Sequence, residues 1–406
     1  MRPCGDPYNE RCIVNPTPTE SLPPRSIAVS QLESSIFTDL GVAPVINAAG
    51  PRTVMGGSRL SPAVAEAYQA ANRHFVVMKD LQARSGEHLA QMLGSEMALV
   101  TSGCAAALSL AVAGIMSGTD RERIAQLPDT TGMKDEIVIQ ACQRYSYDRA
   151  LTLCGARLVE AGSPEGVTEA ELEAAITDRT AAVHYLGVDF WGVQEHSLSF
   201  ETLRDVAHAH DLPLIVDAAS VVFPLERMTW FSENGADIVC FGAKYFGAFN
   251  GSGILTGKRR YMEAAIEHSF VNFETEQNRA FGRPFKLDRQ EIVGVVAALT
   301  EWFEMDHEER MAQNEAKGRV LRRTVANCPG VTSHWETRLT SIMDTVRLEL
   351  DEGAAMSAQE LSKALANGNP SIVTLADGNS LDVVVNQLYE GETEIVAERL
   401  QELLGG

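Results

Sequence analysis

Leu214-Ile-Val-Asp-Ala-Ala-Ser220, read together with Phe241-Gly-Ala-Lys244, decides the fold of this 406-residue chain. Leu214–Val216 is a short, branched, apolar run behind Pro213, the signature of a buried strand of a parallel sheet with Asp217 at its carboxyl end. Asp237-Ile-Val-Cys-Phe241 reads as a second such strand, ending at Gly242-Ala-Lys244 ahead of a glycine-studded segment, Gly247 to Gly253. Ligands of open α/β sheets bind outside the carboxyl ends of the strands. The pattern therefore sets one carboxylate and one amine at neighbouring strand ends, where a ligand would lie.

An amine so placed forms a Schiff base with an aldehyde, and a carboxylate so placed keeps a pyridinium nitrogen protonated. Pyridoxal phosphate requires both. The same pair also describes a strand-end cap followed by a surface lysine. Upstream, Met97–Thr101 reads as a strand, and Ser102-Gly103-Cys104-Ala-Ala-Ala107 opens a helix running to about Met116. Ser-Gly at a helix N-terminus offers unpaired N–H groups, a hydroxyl and the positive end of the helix dipole, which suits a phosphate. An ordinary N-cap is the structural alternative.

Thr101-Ser-Gly-Cys-Ala-Ala-Ala107, Val216-Asp-Ala-Ala219, Phe241-Gly-Ala-Lys244 and Gly282-Arg-Pro-Phe-Lys286 together resemble the motif series of fold-type I pyridoxal-phosphate-dependent enzymes. Within these, the chain resembles the selenocysteine-synthase-like branch that includes D-glucosaminate-6-phosphate ammonia-lyase-like proteins. The resemblance runs from Val45-Ile-Asn-Ala-Ala-Gly50 to the C-terminus. It implies Lys244 as the Schiff-base lysine and Asp217 as the partner of the ring nitrogen. It also implies Ser102, Gly103 and Cys104 as the phosphate cradle, with Ala219, Gly242 and Gly253 in the cofactor pocket.

Two departures stand out. Where the family often carries a histidine against the cofactor ring, this chain reads Cys142-Gln-Arg-Tyr-Ser-Tyr147, so Gln143, or else Tyr145, would lie on the ring. Phe249-Asn250 stands where Gly-Pro is often found. Arg283 is the candidate for a substrate carboxylate, because a guanidinium grips a carboxylate through two parallel bonds. A solvated loop arginine is the alternative reading. Asn47 and Arg52 are further substrate candidates, and His184 is either structural or a cofactor contact.

The implied reaction acts on a small amino acid or amino sugar acid through an external aldimine and quinonoid, by elimination or replacement, as a lyase or transferase. Alternatives are an aminotransferase, a racemase, aldolase-type C–C chemistry, or a non-catalytic scaffold of the same fold. The resemblance further implies a homodimer or higher homo-oligomer, with Gly251–Gly253 and Asn47–Arg59 reaching the partner's cofactor.

Composition narrows the partners. A formal charge of −21, from 34 basic and 55 acidic residues, leaves no basic excess to neutralise phosphates. Nucleic acid and anionic membrane are thereby disfavoured, tRNA included. No stretch approaches the roughly 20 apolar residues of a membrane span, and the N-terminus lacks the pattern of a signal peptide. Seven cysteines without C-x-x-C spacing fit free thiols in the cytoplasm rather than disulfides or a metal site.

The chain is long enough for two domains. Residues 1–34, with Pro3, Pro7, Pro16, Pro18, Pro23 and Pro24, read as a flexible arm, and residues 35–60 as an N-terminal segment near the active site. Residues 61–288, where strands alternate with helices, read as a large cofactor domain built on a doubly wound, mostly parallel sheet. Residues 289–406 read as one long linking helix, Arg289 to about Val325, and a small α+β domain.

Overall fold

The computed structural model describes residues 35–188, 196–338 and 343–405. The proposed arm, with Cys4 and Cys12, lies outside the described residues. Strands are numbered in chain order, β1 being Val45–Asn47. The next seven are β2 (Met97–Thr101), β3 (Glu136–Gln140), β4 (Arg157–Ala161), β5 (Thr180–Leu186), β6 (Leu214–Asp217), β7 (Ile238–Gly242) and β8 (Gly253–Gly257). They form one sheet in the order β2-β8-β7-β6-β5-β3-β4.

Every residue of β3, β5, β6, β7 and β8 is buried, as expected of strands covered on both faces. Neighbouring pairs from β4 through β3, β5 and β6 to β7 are parallel. Only β8 runs antiparallel to both its neighbours, β7 and β2. The carboxyl ends of β2, β3, β5, β6 and β7 and the amino end of β8 therefore share one edge. This is the α/β fold the sequence indicates, with one reversed strand.

The helix Cys104–Ser117 is alanine-rich and buried along most of its length. Its small residues permit close approach to the helix Arg259–Glu267: a Cβ on Gly114 would lie 2.5 Å from the backbone N of Ala265. Ser61 caps the helix Pro62–Asn72 by accepting from Val64 N–H at 3.2 Å, with Pro62 at the first helical position.

The chain divides into two compact units, Ser58–Glu304 and the segments ending at Gly57 and beginning at Met305. In the second unit, β9 (Val331–Arg338), β10 (Met343–Leu350), β12 (Leu375–Asp377) and β13 (Ser380–Val384) make an antiparallel sheet, β12-β13-β10-β9. β1 pairs in parallel with β11 (Ser371–Val373). The core gathers Leu321, Val346, Leu348, Leu361, Leu381 and Leu400 beneath the helices His307–Val325, Ala358–Ala366 and Glu392–Leu404.

Several elements differ from expectation. The long helix beginning at Arg289 is two helices, Arg289–Glu304 and His307–Val325. Asp306 caps the second by accepting from Glu309 N–H at 2.9 Å, which restarts the helix rather than continuing it. Arg289–Glu304 packs against Pro62–Asn72 and Met78–Met92, so it falls in the larger unit. Between β3 and β4 the alternating helix is reduced to a 3₁₀ turn, Asp148–Thr152. The connection from the helix Cys104–Ser117 to β3 contains the short helix Arg121–Gln126.

Candidate active site

The shared sheet edge gathers Asp217, Ala219, Gly242, Lys244, Gly253 and Ser102–Cys104. Asp217, 3% exposed, ends β6. Its Oδ1 accepts the Ala219 N–H at 3.0 Å and faces the Cys104 thiol at 3.5 Å, and its Oδ2 accepts the Tyr145 hydroxyl. Ala219 in turn gives its carbonyl to Gly242 N–H at 2.9 Å, tying the end of β6 to the end of β7. A Cβ on Gly242 would sit 3.0 Å from that same carbonyl oxygen, a tighter contact than side chains ordinarily make.

Lys244 lies on the 3₁₀ turn Ala243–Phe246 that follows β7 and closes on Gly247 in the left-handed region, φ 87°. The turn is pinned by Ala243 N–H to Ser252 carbonyl at 2.9 Å, and by the Ser58 hydroxyl donating to the Lys244 carbonyl. The half-buried Lys244 carries its Nζ 5.2 Å from the Tyr245 ring centroid. The following loop seats Phe249 against Gly294, where a Cβ would meet the ring at 2.4 Å.

Ser102 and Gly103 bridge β2 and the helix Cys104–Ser117. Gly103 is the N-cap, with φ 91° and no side-chain hydrogen bond, so the first helical N–H groups are left for a ligand. A Cβ on Gly253 would come within 2.6 Å of Gly103 C and 2.7 Å of Cys104 N. Glycine there lets β8 pass directly beneath the cradle. The Ser220 hydroxyl, three residues beyond Asp217, is buried without a hydrogen-bond partner among the described residues.

An uncapped helix start, a buried strand-end carboxylate, an unpartnered hydroxyl and a lysine on the same edge form the donor set of a phosphorylated pyridine aldehyde. The residues present fit pyridoxal phosphate. Ser102, Gly103 and Cys104 would hold its phosphate, Asp217 its ring nitrogen and Lys244 its aldehyde.

Other candidates are placed differently. Gln143 is fully buried. Its amide donates to the Leu186 carbonyl at 3.3 Å and accepts the Leu186 N–H at 3.0 Å, which makes it a clamp on the end of β5. Arg283 is ion-paired with Glu274 at 2.8 Å and lies 5.7 Å from the Phe273 ring centroid. Asn47 and Arg52 belong to the other compact unit. There Asn47 ties its own turn, donating to the Gly50 carbonyl and accepting the Ala49 N–H, both at 3.0 Å. Arg52 precedes the 3₁₀ turn Thr53–Met55.

His184 lies within β5, fully buried, with both ring nitrogens unpartnered among the described residues. Burial alone lowers its pKa to about 3, so the ring is neutral. It stacks on Tyr145, centroids 6.1 Å apart and planes 19° apart. Burial also raises the Asp217 carboxyl above its ordinary value, while the bonds from Tyr145, Ala219 and Cys104 oppose that rise. Sequence reading missed the bonds of Tyr145 and Cys104 to Asp217, and the Ser220 hydroxyl. Only Ser220 carried a local signal, its place in the quoted stretch.

This fold and this edge define a pyridoxal-phosphate-dependent enzyme of fold type I. The pattern of the class-V aminotransferase family matches residues 68–368, and the chain belongs to that family. It is 30% identical over 381 residues to a D-glucosaminate-6-phosphate ammonia lyase of Salmonella typhimurium, covering 91% of this chain and 98% of the relative. It is 31% identical over 380 residues to a 5'-C-glycyluridine monooxygenase-decarboxylase of a Streptomyces species, covering 91% and 92%. A solved D-glucosaminate-6-phosphate ammonia-lyase superposes with a TM-score of 0.80 at 28% identity, over 91% of this chain and 98% of that one. Among the described residues no helix is long and apolar enough to cross a membrane.

Proposed function

We propose that the chain is a lyase that removes an amino group, or another leaving group, from a small amino acid or amino sugar acid. The observation that carries this reading is the nearly full-length likeness to D-glucosaminate-6-phosphate ammonia lyase. Bound pyridoxal phosphate supplies an electron sink for charge developing at the substrate Cα.

The roles of the chain's own residues follow from position. Lys244 would hold the cofactor's aldehyde, and its amine would take the substrate Cα proton. Asp217 fixes the ring nitrogen. Ser102, Gly103, Cys104 and Gly253 fix the phosphate end, with Ala219 and Gly242 closing the pocket wall between them. Gln143 holds the end of β5 in place beside Asp217. Arg283 would take a substrate carboxylate by exchanging its partner Glu274.

A homodimer is part of the same reading. Phe75 is 92% exposed, beside exposed Val76 and Val77, and in the other unit Ile36, Phe37 and Leu40 are also exposed. Apolar surface of this kind is the material of an obligate interface. A cytoplasmic location accords with the free thiols of Cys104, Cys142, Cys154, Cys240 and Cys328.

The likeness to a monooxygenase-decarboxylase supports a second reading, an oxygen-consuming loss of carbon dioxide. One experiment separates them. The cofactor-loaded protein is given amino acids and amino sugar acids, D-glucosaminate-6-phosphate first, with and without oxygen. Ammonia and a 2-oxo acid formed without oxygen support the lyase, whereas turnover that stops without oxygen replaces it with the second reading.

A further inference from the structure

We propose that Tyr145 and Cys104 are positioning residues for Asp217, holding its carboxylate so that the proton shared with a bound ring nitrogen stays on the nitrogen. The inference rests on the pyridoxal phosphate reading above.

A carboxylate offers about four lone-pair sites. Ala219 N–H and the Cys104 thiol address Oδ1, and the Tyr145 hydroxyl addresses Oδ2. That leaves a site on Oδ2 for a ligand N–H. Each donor stabilises the charged carboxylate and lowers its affinity for a further proton. In a hydrogen bond between a carboxylate and a pyridinium, the less basic carboxylate leaves the proton on nitrogen. Burial works in the other direction, and the donors offset it.

The donors cannot be lost by ionisation. Desolvation first, and the Asp217 charge second, push both the Tyr145 phenol and the Cys104 thiol well above their ordinary ranges, so each keeps its proton. From β7 the buried Cys240 thiol is also pushed up, and from β5 His184 is neutral.

Tyr145 is fixed from several sides. Its backbone N–H donates to Asp148 Oδ2 at 3.3 Å, and Arg144 Nε holds the same oxygen at 2.5 Å. Its ring stacks on His184, neither of whose ring nitrogens bonds the hydroxyl. Gln143, two residues earlier, clamps Leu186, the register partner of Asp217. The hydroxyl is thus preset by a framework that spans β3, β5 and β6.

The test loads the full chain with pyridoxal phosphate carrying an isotopically labelled ring nitrogen and records the nitrogen resonance in wild type, Tyr145→Phe and Cys104→Ala. Wild type shows a pyridinium at neutral pH. Tyr145→Phe moves the resonance toward neutral pyridine, and Cys104→Ala moves it less in the same direction. In the cofactor-free protein, carbon NMR of labelled aspartate should show Asp217 titrating about one pH unit or more higher in Tyr145→Phe. A merely structural Tyr145 would move neither reading. Unchanged nitrogen resonances and an unchanged Asp217 titration overturn the proposal. A wild-type chain that takes up no pyridoxal phosphate overturns the parent reading and this one together, and the wild-type spectrum alone tells that failure apart.

Discussion

Asp217 is where the site's charge is set, since it is nearly fully buried and accepts from Ala219, Cys104 and Tyr145. Asp217→Asn removes the charge and keeps the shape. It should leave pyridoxal phosphate bound while turnover falls by roughly a hundredfold or more, the scale of losing one preorganised electrostatic contact. Steady-state rates with bound cofactor followed by absorbance check this, and near-wild-type turnover would reduce Asp217 to a strand-end cap. Asp217, Lys244 and Ser102–Cys104 were legible in the sequence because each lies at the end of a short apolar run, where a local pattern also fixes a place on the sheet edge. Tyr145 was legible only as a possible ring neighbour. Its bond joins residues 72 apart in sequence, and no local pattern encodes such a meeting.

At the scale of elements, Gly253 joins the sheet to the phosphate cradle. Replacing it with Val places a Cβ within 2.7 Å of Phe241 O as well as against Gly103 and Cys104. The variant should lose about 1–3 kcal/mol of stability to overpacking and bind pyridoxal phosphate more weakly, read by thermal unfolding and by cofactor titration. Unaltered cofactor affinity would detach β8 from the cradle. The inner strands of the central sheet were readable because burial on both faces makes them short, mostly apolar runs. The reversal of β8 was not, since a five-residue buried strand reads the same in either direction. β9 carries no strand pattern of its own, because Val331–Arg338 is mostly polar and owes its strand state to pairing with β10. The break at Asp306 did carry a signal, an Asp followed three residues later by Glu309, which the surrounding helical composition masked.

The whole molecule carries two further expectations. His268 is buried, with Nδ1 accepting from Phe281 N–H at 3.3 Å and Nε2 facing the Ser117 hydroxyl at 2.8 Å, and burial lowers its pKa to about 4. As pH falls from about 6.5 toward that value, the unfolded chain takes up a proton that the folded chain refuses. Stability therefore declines across this window, by on the order of 3 kcal/mol for this residue, and does not change through it above about pH 6.5. Denaturant midpoints between pH 7 and 4 check the sign, and His268→Asn should flatten the slope. For assembly, light scattering behind size exclusion should show a dimer or a multiple of dimers that loses cofactor on dilution, whereas an active, loaded monomer would refute the shared-interface reading.

Anchoring of pyridoxal phosphate through Lys244 is open to one direct measurement. The loaded protein is reduced with borohydride, digested, and its peptides are weighed by mass spectrometry. The pyridoxyl mass should be found on Lys244 and should disappear in Lys244→Ala. The adduct on Lys258, which is instead ion-paired with Asp237 at 2.8 Å, or on Lys286, or on no lysine at all, would contradict it.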